Sequence, residues 1–150
     1  MILAPYPKIL VDIVCKDHKL LKVSLSPLSA FGSKLINPSS ELKEKILDWL
    51  KRYAQKENNP FPLHLKDETF TGKVLSFLLR VPFGQVTSYQ AIANILGNRQ
   101  ASRAVGNACR SNPFPLFVPC HRVIGSNGAL TGFAYGLELK KRLIEFESRV

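Results

Sequence analysis

A cysteine lies between a rigid proline and a histidine in the segment Pro119-Cys120-His121-Arg122-Val123. The thiolate is the nucleophilic form of cysteine, and nearby cationic or imidazole groups increase the fraction of thiolate present. We therefore predict that Cys120 is a nucleophile. A turn-forming segment, Asn112-Pro113-Phe114-Pro115, and a pair of short predicted helices precede it and are expected to position it.

The charge of the chain is strongly positive and unevenly distributed. The 150 residues carry a formal net charge of +10. Residues 1–68 contain 11 Lys and Arg against 8 Asp and Glu, whereas residues 69–150 contain 10 against 3, and no acidic residue occurs from 69 to 137. This distribution favours a polyanionic partner over a merely soluble basic surface. Nucleic acid is favoured over a membrane because no basic amphipathic helix is evident there.

Length and composition limit the class of protein. A chain of 150 residues fits one compact domain or two small ones that share a core, and 45% hydrophobic residues are typical of a folded chain. No apolar run is long enough to span a bilayer, and the first residues lack the features of a signal peptide. The three cysteines form neither a disulfide framework nor paired zinc ligands. A reducing intracellular compartment is predicted, cytoplasmic, or nuclear in a eukaryote.

The first 62 residues predict a small α/β domain and a linker. Hydrophobic alternation over residues 9–15 and 21–25, with a turn between them, indicates a β-hairpin. Residues 26–39 are rich in Ser, Pro, Gly and Asn and are predicted to be loop. A helix with one apolar face is predicted from about Ser40 to Lys56, followed by a proline-containing linker.

Residues 63–150 predict a mainly helical domain. A first helix begins near Phe70 and ends at Pro82. The segment Thr87-Ser88-Tyr89-Gln90 has the form of a capping box, in which Thr87 caps the next helix and Gln90 reaches back to it. Beyond Cys120, a short strand is predicted at residues 121–124, a flexible loop at 130–136 and a last helix at 137–147.

Two of the predicted helices form a helix-turn-helix pattern. One ends at Leu96, a turn containing Gly97 follows, and the second runs from about Ala101 to Arg110. Many proteins that do not bind DNA contain such corners. The second helix is rich in small residues and carries Arg103 and Arg110, which suits close approach to a groove and contacts to phosphates or bases. The nucleophile is therefore expected to be held against DNA.

About half of the chain, from Phe70 to Glu147, resembles the O6-alkylguanine-DNA alkyltransferases, the suicide repair proteins also called methylated-DNA–protein-cysteine methyltransferases. The resemblance implies an α/β protein: a small N-terminal ribonuclease H-like α/β domain over residues 1–62 and a mainly helical C-terminal winged helix-turn-helix domain over residues 63–150. The match to residues 1–68 is weak. The matching motifs are Val81-Pro82-Phe83-Gly84, Thr87-Ser88-Tyr89-Gln90, Ser102-Arg103-Ala104-Val105-Gly106, Asn112-Pro113 and Pro119-Cys120-His121-Arg122-Val123.

The resemblance implies irreversible, single-turnover transfer of an alkyl group from O6-alkylguanine in DNA to Cys120. In that reaction His121 is the base, acting through a water molecule, and Glu147 orients and polarises His121. Asn112 is expected to hold the active-site turn and to stabilise charge near the thiolate. Tyr89 is expected to donate a proton or hydrogen bond to the guanine edge.

The same resemblance implies which residues contact DNA and the flipped nucleotide. Arg103 would be the finger that enters the base stack where the target nucleotide is flipped out, and its helix would enter the minor groove. The other expected DNA contacts are Ser102, Ala104, Gly106, Arg110 and Arg122. The substrate pocket is expected to be lined by Tyr89, Pro115, Val123, Phe133, Ala134 and Tyr135.

The loop Gly132-Phe133-Ala134-Tyr135-Gly136 departs from the family pattern. Where Phe133 stands, the family usually has a tyrosine whose hydroxyl would contact guanine O6. The phenylalanine keeps the stacking wall but lacks that donor. Tyr135 is bulkier than the glycine of some relatives and is expected to narrow the pocket.

Each assignment has a structural alternative. His121 could be a buried structural histidine, Glu147 a solvated helix residue, Arg103 an ordinary surface arginine and Tyr89 a core residue, whereas Cys109 is predicted to be a small packed residue. Two other functions compete with repair. A DNA-binding regulator would explain the charge and the helices but not the Pro-Cys-His-Arg segment. A thiol hydrolase or peroxidase would explain the cysteine and histidine but not the acid-free stretch.

No cofactor and no metal are predicted. The spacing of Cys15 and His18 permits metal binding, and His64 could add a ligand, but three scattered candidates are weak evidence for a zinc site. The predicted partner is double-stranded DNA containing O6-alkylguanine. No membrane partner is expected, and the protein is predicted to be a monomer.

Overall fold

The computed structural model describes residues 7–57, 60–63 and 65–148, which form a mixed α/β fold with a small sheet and five helices. A 3₁₀ helix lies at Cys120–Arg122. Among the described residues, no helix is both long and apolar enough to cross a bilayer. The elements are β1 (Ile9–Lys16), β2 (Lys19–Pro27), β3 (Gly32–Ile36), α1 (Ser40–Ala54), α2 (Phe70–Leu78), β4 (Thr87–Ser88), α3 (Tyr89–Ile95), α4 (Ser102–Arg110), β5 (Val123–Ile124) and α5 (Leu137–Ser148).

The predicted hairpin is confirmed. β1 pairs antiparallel with β2, and every second residue of β1 is buried, as alternation requires. Asp17 and His18 form the turn with φ angles of 51° and 68°. Positive φ at both central residues gives a two-residue turn whose twist matches that of the strands. Local pattern and turn geometry therefore agree here.

The prediction of loop throughout residues 26–39 is wrong. Gly32–Ile36 forms β3, which pairs in parallel with β1 and gives the sheet the order β2-β1-β3. No residue of this edge strand is fully buried, so its sequence has no alternating apolar signal. The strand exists because β1 offers an unpaired row of backbone donors and acceptors, which is a tertiary property.

Helix α1 brings the N-terminal part of the chain to the C-terminal part. The Ser39 side chain caps it by accepting a hydrogen bond from the Leu42 backbone N–H at 3.1 Å. Its apolar face is buried as predicted, and the helix ends at Ala54, slightly earlier than expected. The ring of Trp49 lies 4.6 Å from that of Phe117. Helix α1 therefore packs against the segment that leads to Cys120.

Two hydrophobic clusters form the interior. The first joins β1, β2 and α1 to residues far along the chain, including Leu143 and Phe146 of α5. The second joins α2, α3 and α4 to Val118, Cys120 and Val123. Since α5 packs into the N-terminal cluster, the interior does not divide at the linker.

The predicted capping box is wrong, although the helix it marks exists. Ser88, not Thr87, is the cap of α3, and its hydroxyl accepts a hydrogen bond from the Ala91 N–H at 3.0 Å. The Gln90 side chain instead donates to Asn94 and to the Arg99 carbonyl. Thr87 belongs to β4, where it pairs with β5, so the helix begins later than the sequence suggests.

The strand predicted at residues 121–124 is half as long as expected. Cys120–Arg122 is a buried 3₁₀ helix, and Val123–Ile124 alone forms β5, parallel to β4. The Arg122 N–H donates to the Pro119 carbonyl at 3.0 Å and closes this tight turn. The turn directs the side chains of Cys120 and His121 into the interior, where a strand would have pointed them to opposite faces.

Candidate functional site

The turn before Cys120 is held by the side chain of Asn112. The amide of Asn112 donates to the Val118 carbonyl at 2.9 Å and accepts from the Phe114 N–H at 2.9 Å. Within this turn, the buried Leu116 has a φ of 75°, a conformation that is rare for a bulky side chain. The two hydrogen bonds of Asn112 stabilise a backbone shape that the sequence would not adopt by itself.

The Cys120 thiol is buried, with 5% of the residue exposed. Burial raises the pKa of Cys120, while a hydrogen bond from Asn112 and the charge of Lys140 lower it. The pKa of the Cys120 thiol therefore remains above its ordinary value. The neighbouring groups favour the thiolate but do not outweigh burial, so deprotonation requires a base.

Glu147 is the centre of a buried group of polar side chains. Its Oε2 lies 2.6 Å from His121 Nε2 and accepts a hydrogen bond from the Tyr53 hydroxyl, also at 2.6 Å. Its Oε1 accepts from Arg122 Nε at 2.7 Å. Burial raises the pKa of Glu147, but His121 and Arg122, through charge and hydrogen bonds, lower it to about 2. We call Tyr53, His121, Arg122 and Glu147 the Glu147 cluster.

The ionised state of Glu147 determines which nitrogen of His121 can act as a base. An ionised carboxylate only accepts hydrogen bonds, so Nε2 of His121 must carry the proton that it shares with Glu147. In the neutral ring, Nδ1 is then the nitrogen with a free lone pair. It is fully buried and has no hydrogen-bond partner among the described residues. Nδ1 is therefore the atom available to accept a proton.

Arg122 does not lie where a DNA contact was predicted. It is 7% exposed, and its Nη1 donates to the Val81 carbonyl at 2.7 Å while Nε binds Glu147. The guanidinium also lies 5.7 Å from the centre of the Phe83 ring. With its donors directed inward, Arg122 stabilises the buried carboxylate instead of presenting charge at the surface.

A second buried cation, Lys140 on α5, was not identified from the sequence. Its Nζ donates to the Tyr89 hydroxyl at 3.2 Å and to the Thr131 carbonyl at 2.8 Å. Tyr89 in turn donates to Thr131 at 2.7 Å. Burial lowers the pKa of Lys140, and the nearby thiols of Cys120 and Cys109 raise it.

The signal for Lys140 was present in the sequence. Lys140 precedes Glu147 by seven residues and Leu143 by three, so all three lie on one face of α5. A lysine inside the apolar face of a predicted helix indicates either a paired or a functional charge. Helical spacing alone could have placed Lys140 beside the site, but not its partners.

A narrow cavity of about 10 Å³ opens beside Cys120. That volume holds about one water molecule, so the cavity is nearly closed. Of the predicted pocket residues, Tyr89, Pro115 and Val123 do not line it. Pro115 and Val123 are buried, Val123 in β5, and Tyr89 lines a neighbouring groove. The lining residues are Cys109, Arg110, Asn112, Cys120, Gly132, Phe133, Ala134 and Tyr135.

An open groove of about 420 Å³ runs beside α4, which we call the α4 groove. It brings together most of the predicted DNA contacts with Tyr89, whereas the exposed Ala104 does not line it. Arg110 lines both the groove and the cavity beside Cys120, so the two are adjacent. The groove is lined by Tyr89, Ser102, Arg103, Gly106, Asn107, Arg110, Thr131 and Gly132.

The candidate metal ligands considered from the sequence do not come together in the described structure. Cys15 is 2% exposed and packs in the first hydrophobic cluster, while His18 lies in the hairpin turn. His64 lies outside the described residues. Among the residues that are described, no three His, Cys, Asp or Glu side chains form a group that could hold a metal ion.

Sequence comparison identifies similar proteins. Residues 69–149 match the family model described as "6-O-methylguanine DNA methyltransferase, DNA binding domain". A probable methylated-DNA–protein-cysteine methyltransferase of Acanthamoeba polyphaga mimivirus is 42% identical over 116 residues, covering 74% of this chain and 77% of the viral protein. The human methylated-DNA–protein-cysteine methyltransferase is 44% identical over 66% of this chain, and the match spans 52% of the human protein.

Solved structures agree with the sequence comparison. The O6-methylguanine methyltransferase of Mycobacterium tuberculosis superposes with a TM-score of 0.66 at 29% identity, covering 93% of both chains. A structure of the Mycobacterium tuberculosis OGT in complex with DNA gives a TM-score of 0.68 at 28% identity, covering 93% of this chain and 92% of that one. The similarity therefore extends over the N-terminal part, where the sequence resemblance is weak.

Proposed function

The chain belongs to the 6-O-methylguanine DNA methyltransferase family, and we propose that it repairs DNA by transferring an alkyl group, such as methyl, from O6-alkylguanine irreversibly to Cys120. One observation supports this proposal most strongly. A buried cysteine, followed in the chain by a histidine whose free Nδ1 can accept a proton, lines a cavity that adjoins a groove with exposed arginines. A nucleophile, a base and a surface for a polyanion therefore meet in one place.

The transfer begins with removal of the thiol proton. His121 Nδ1 takes this proton through a water molecule, while Glu147, bonded to Nε2, stabilises the imidazolium that forms. The thiolate sulfur then attacks the alkyl carbon in line, forming the S–C bond as the C–O6 bond breaks. The bonding electron pair goes to the guanine, which takes up a proton. The products are guanine in DNA and S-alkylated Cys120.

Lys140 and Asn112 favour the thiolate once the base has acted. The hydrogen bond from Asn112 and the charge of Lys140 both lower the pKa of Cys120 against the effect of burial. Burial raises the pKa of the Tyr89 phenol, which therefore remains a donor at neutral pH. Its hydroxyl is directed at the carbonyl of Thr131, at the edge of the pocket. Exchange of that acceptor for the guanine edge would place the donor on the leaving base.

DNA binds along the α4 groove. Arg103 is exposed at its side and acts as the finger that fills the stack when the target nucleotide is flipped out. The cavity beside Cys120 is far smaller than a guanine, so the loop of residues 131–136 must shift when the base enters. Gly132 and Gly136, at φ angles of 59° and 96°, give this loop the backbone freedom to do so.

Several finer features belong to the same proposal. Residues 1–62 form the ribonuclease H-like α/β domain and residues 63–150 the winged helix-turn-helix domain, a division supported by the β-hairpin with its parallel third strand and by the pair α3 and α4. The protein acts as a monomer, in the cytoplasm or in the nucleus of a eukaryotic cell. Transfer is stoichiometric, because a thioether carbon is a poor target for a further displacement.

Intact-mass analysis after incubation with O6-methylguanine duplex tests the proposal. We expect a gain of one methyl group per protein, located on Cys120 by peptide mapping. Cys120→Ala should gain none while still binding DNA, and Cys15→Ala, a buried cysteine outside the site, should behave as the unmodified protein does. A DNA-binding regulator would gain no mass, and a thiol hydrolase would turn over; either result would contradict the proposal.

A further inference from the structure

We propose that Tyr53 is a positioning residue for the transfer reaction, which holds the Glu147 carboxylate, and through it His121, from the N-terminal half of the chain. This inference rests on the proposed function of Cys120 and His121. Tyr53 lies on α1, 94 positions before Glu147, in the part of the chain with the weakest sequence resemblance. The site would then be incomplete without the N-terminal half.

The contact is direct and buried. The Tyr53 hydroxyl donates to Glu147 Oε2 at 2.6 Å, and His121 Nε2 lies 2.6 Å from the same oxygen. Tyr53 is 2% exposed and Glu147 is 5% exposed, so water does not compete for the carboxylate. With Arg122 on Oε1, the carboxylate accepts three hydrogen bonds and has one orientation towards the imidazole.

Tyr53 can serve as a permanent donor. Burial raises the pKa of its phenol well above the ordinary value, and the charge and hydrogen bond of Glu147 raise it further. The Tyr53 hydroxyl therefore keeps its proton at neutral pH. The ring is held on three sides, by Trp49 at 5.4 Å, Phe83 at 5.5 Å and Phe146 at 5.5 Å between ring centres.

The Tyr53 hydroxyl also affects how readily His121 accepts a proton. Two donors share one oxygen, so the hydroxyl withdraws part of the negative charge that Glu147 presents to His121. Without the hydroxyl, more of that charge faces the imidazole and favours its protonated form. His121 would then fail to accept the thiol proton until a higher pH is reached.

Other charged groups around the carboxylate must be considered in any pH experiment. Lys56, two residues beyond the end of α1, donates from its ammonium group to the Phe146 carbonyl, and the 3₁₀ helix contributes Arg122. Helix α5 contributes Lys140, whose charge acts on Cys120. A Tyr53 variant leaves all of these in place. A change in the pH profile would therefore report the loss of the hydroxyl.

The test is Tyr53→Phe, which removes the hydroxyl and keeps the ring. Single-turnover methyl transfer from O6-methylguanine duplex is measured across pH, together with the thermal unfolding temperature. The acid limb of the rate profile should move upward by roughly half to one pH unit, and the rate on that limb should fall by up to about tenfold. The 15N chemical shifts of the His121 imidazole report the same change in protonation.

Phe61→Leu is the matched control. Phe61 packs in the same aromatic group, 5.0 Å from Phe117, but has no polar atom near Glu147. It should lower the unfolding temperature and leave the pH profile unchanged. If Tyr53→Phe lowers stability without moving the acid limb, Tyr53 is a packing residue and the inference is wrong.

A reaction that does not involve DNA separates this inference from the proposed function. Iodomethane methylates accessible thiolates, and peptide mapping gives the rate at Cys120 alone. A shift in that profile in Tyr53→Phe would support the role of Tyr53 even if the unmodified protein failed to accept methyl from DNA. No shift, in a protein that does accept methyl from DNA, would overturn the inference and leave the proposed function standing.

Discussion

The Glu147 cluster and the α4 groove contain the two sets of charges that the site depends on, in opposite surroundings. In the cluster, His121, Arg122 and Glu147 are at most 7% exposed, and His121 Nε2 and Arg122 Nε each lie within 2.7 Å of an oxygen of the Glu147 carboxylate. In the groove, Arg103 and Arg110 are exposed. Buried charges are positioned before any ligand arrives, whereas solvated arginines become ordered when a phosphate binds.

This difference assigns the two regions different tasks. A rigid, desolvated group of charges can set the protonation of a neighbouring nucleophile, because its interactions are weakly screened. Exposed cations supply affinity that salt weakens, because they release counterions from DNA. Changes in the Glu147 cluster should therefore alter chemistry and stability, and changes in the α4 groove should alter binding and base flipping.

The largest effect is expected for Glu147→Gln. The substitution leaves Arg122 and His121 buried without their carboxylate, which should cost roughly 3–5 kcal/mol in the free energy of unfolding. Methyl transfer should fall by at least about a hundredfold because the imidazolium is no longer stabilised. Chemical denaturation and single-turnover transfer measure the two effects. Glu145→Gln, on the exposed side of the same helix, should change neither.

The pH dependence of stability offers a second measurement of the same carboxylate. Because the pKa of Glu147 is lowered from 4.5 to about 2 in the folded protein, its contribution to stability is present above about pH 4.5 and is lost as the pH falls towards 2. Glu147→Gln should lack this component of acid unfolding. An unchanged acid transition in the variant would contradict the assignment of a buried anion at this position.

Lys140→Met should have the next largest effect. Removing the ammonium group raises the pKa of the Cys120 thiol and deprives Tyr89 and Thr131 of a donor. Transfer should become roughly tenfold slower near neutral pH. It should recover as the pH rises, because the thiolate fraction of Cys120 increases again above the raised pKa. The neighbouring exposed lysine provides the control Lys141→Met. A uniform loss at every pH would indicate that Lys140 acts through packing.

Arg103→Ala should affect duplex DNA and spare the chemistry. Flipping costs a few kcal/mol of lost stacking, part of which the finger offsets, so transfer from duplex should slow by roughly tenfold or more. Transfer from the free O6-methylguanine base should remain unchanged. Arg52→Ala removes an exposed arginine that does not line the α4 groove and serves as the charge-matched control. Equal losses on both substrates would break the division between groove and cluster.

The smallest effect, and the one in the opposite direction, is expected for Phe133→Tyr. Phe133 borders the cavity with Cys120 and meets the ring of Tyr135 edge-on at 5.6 Å. An added hydroxyl that reaches guanine O6 contributes roughly 0.5–1.5 kcal/mol, which raises the transfer rate by up to about tenfold. Single-turnover rates and DNA affinity are measured separately. An unchanged rate with intact affinity would mean that backbone donors of the loop already satisfy O6.

Much of the fold followed from local patterns. The hairpin, α1 and the pair α3 and α4 each have a short-range signal of alternation, helical spacing or turn chemistry, and each is present in the structure. The predictions of loop at β3 and of a capping box at Thr87 were wrong for the same reason. Both depend on pairing with a strand remote in sequence, β1 for Gly32–Ile36 and β5 for Thr87.

The reactive segment, the family and the basic character of the DNA-facing half can all be read from the chain alone. These depend on residue types, their order and their spacing, which are written in the chain. Only long-range packing directs Arg122 inward, brings Tyr53 to Glu147 and places Lys140 beside Tyr89. Such contacts join residues from 25 to 94 positions apart, and they form because a buried charge must find partners in three dimensions, wherever the chain supplies them.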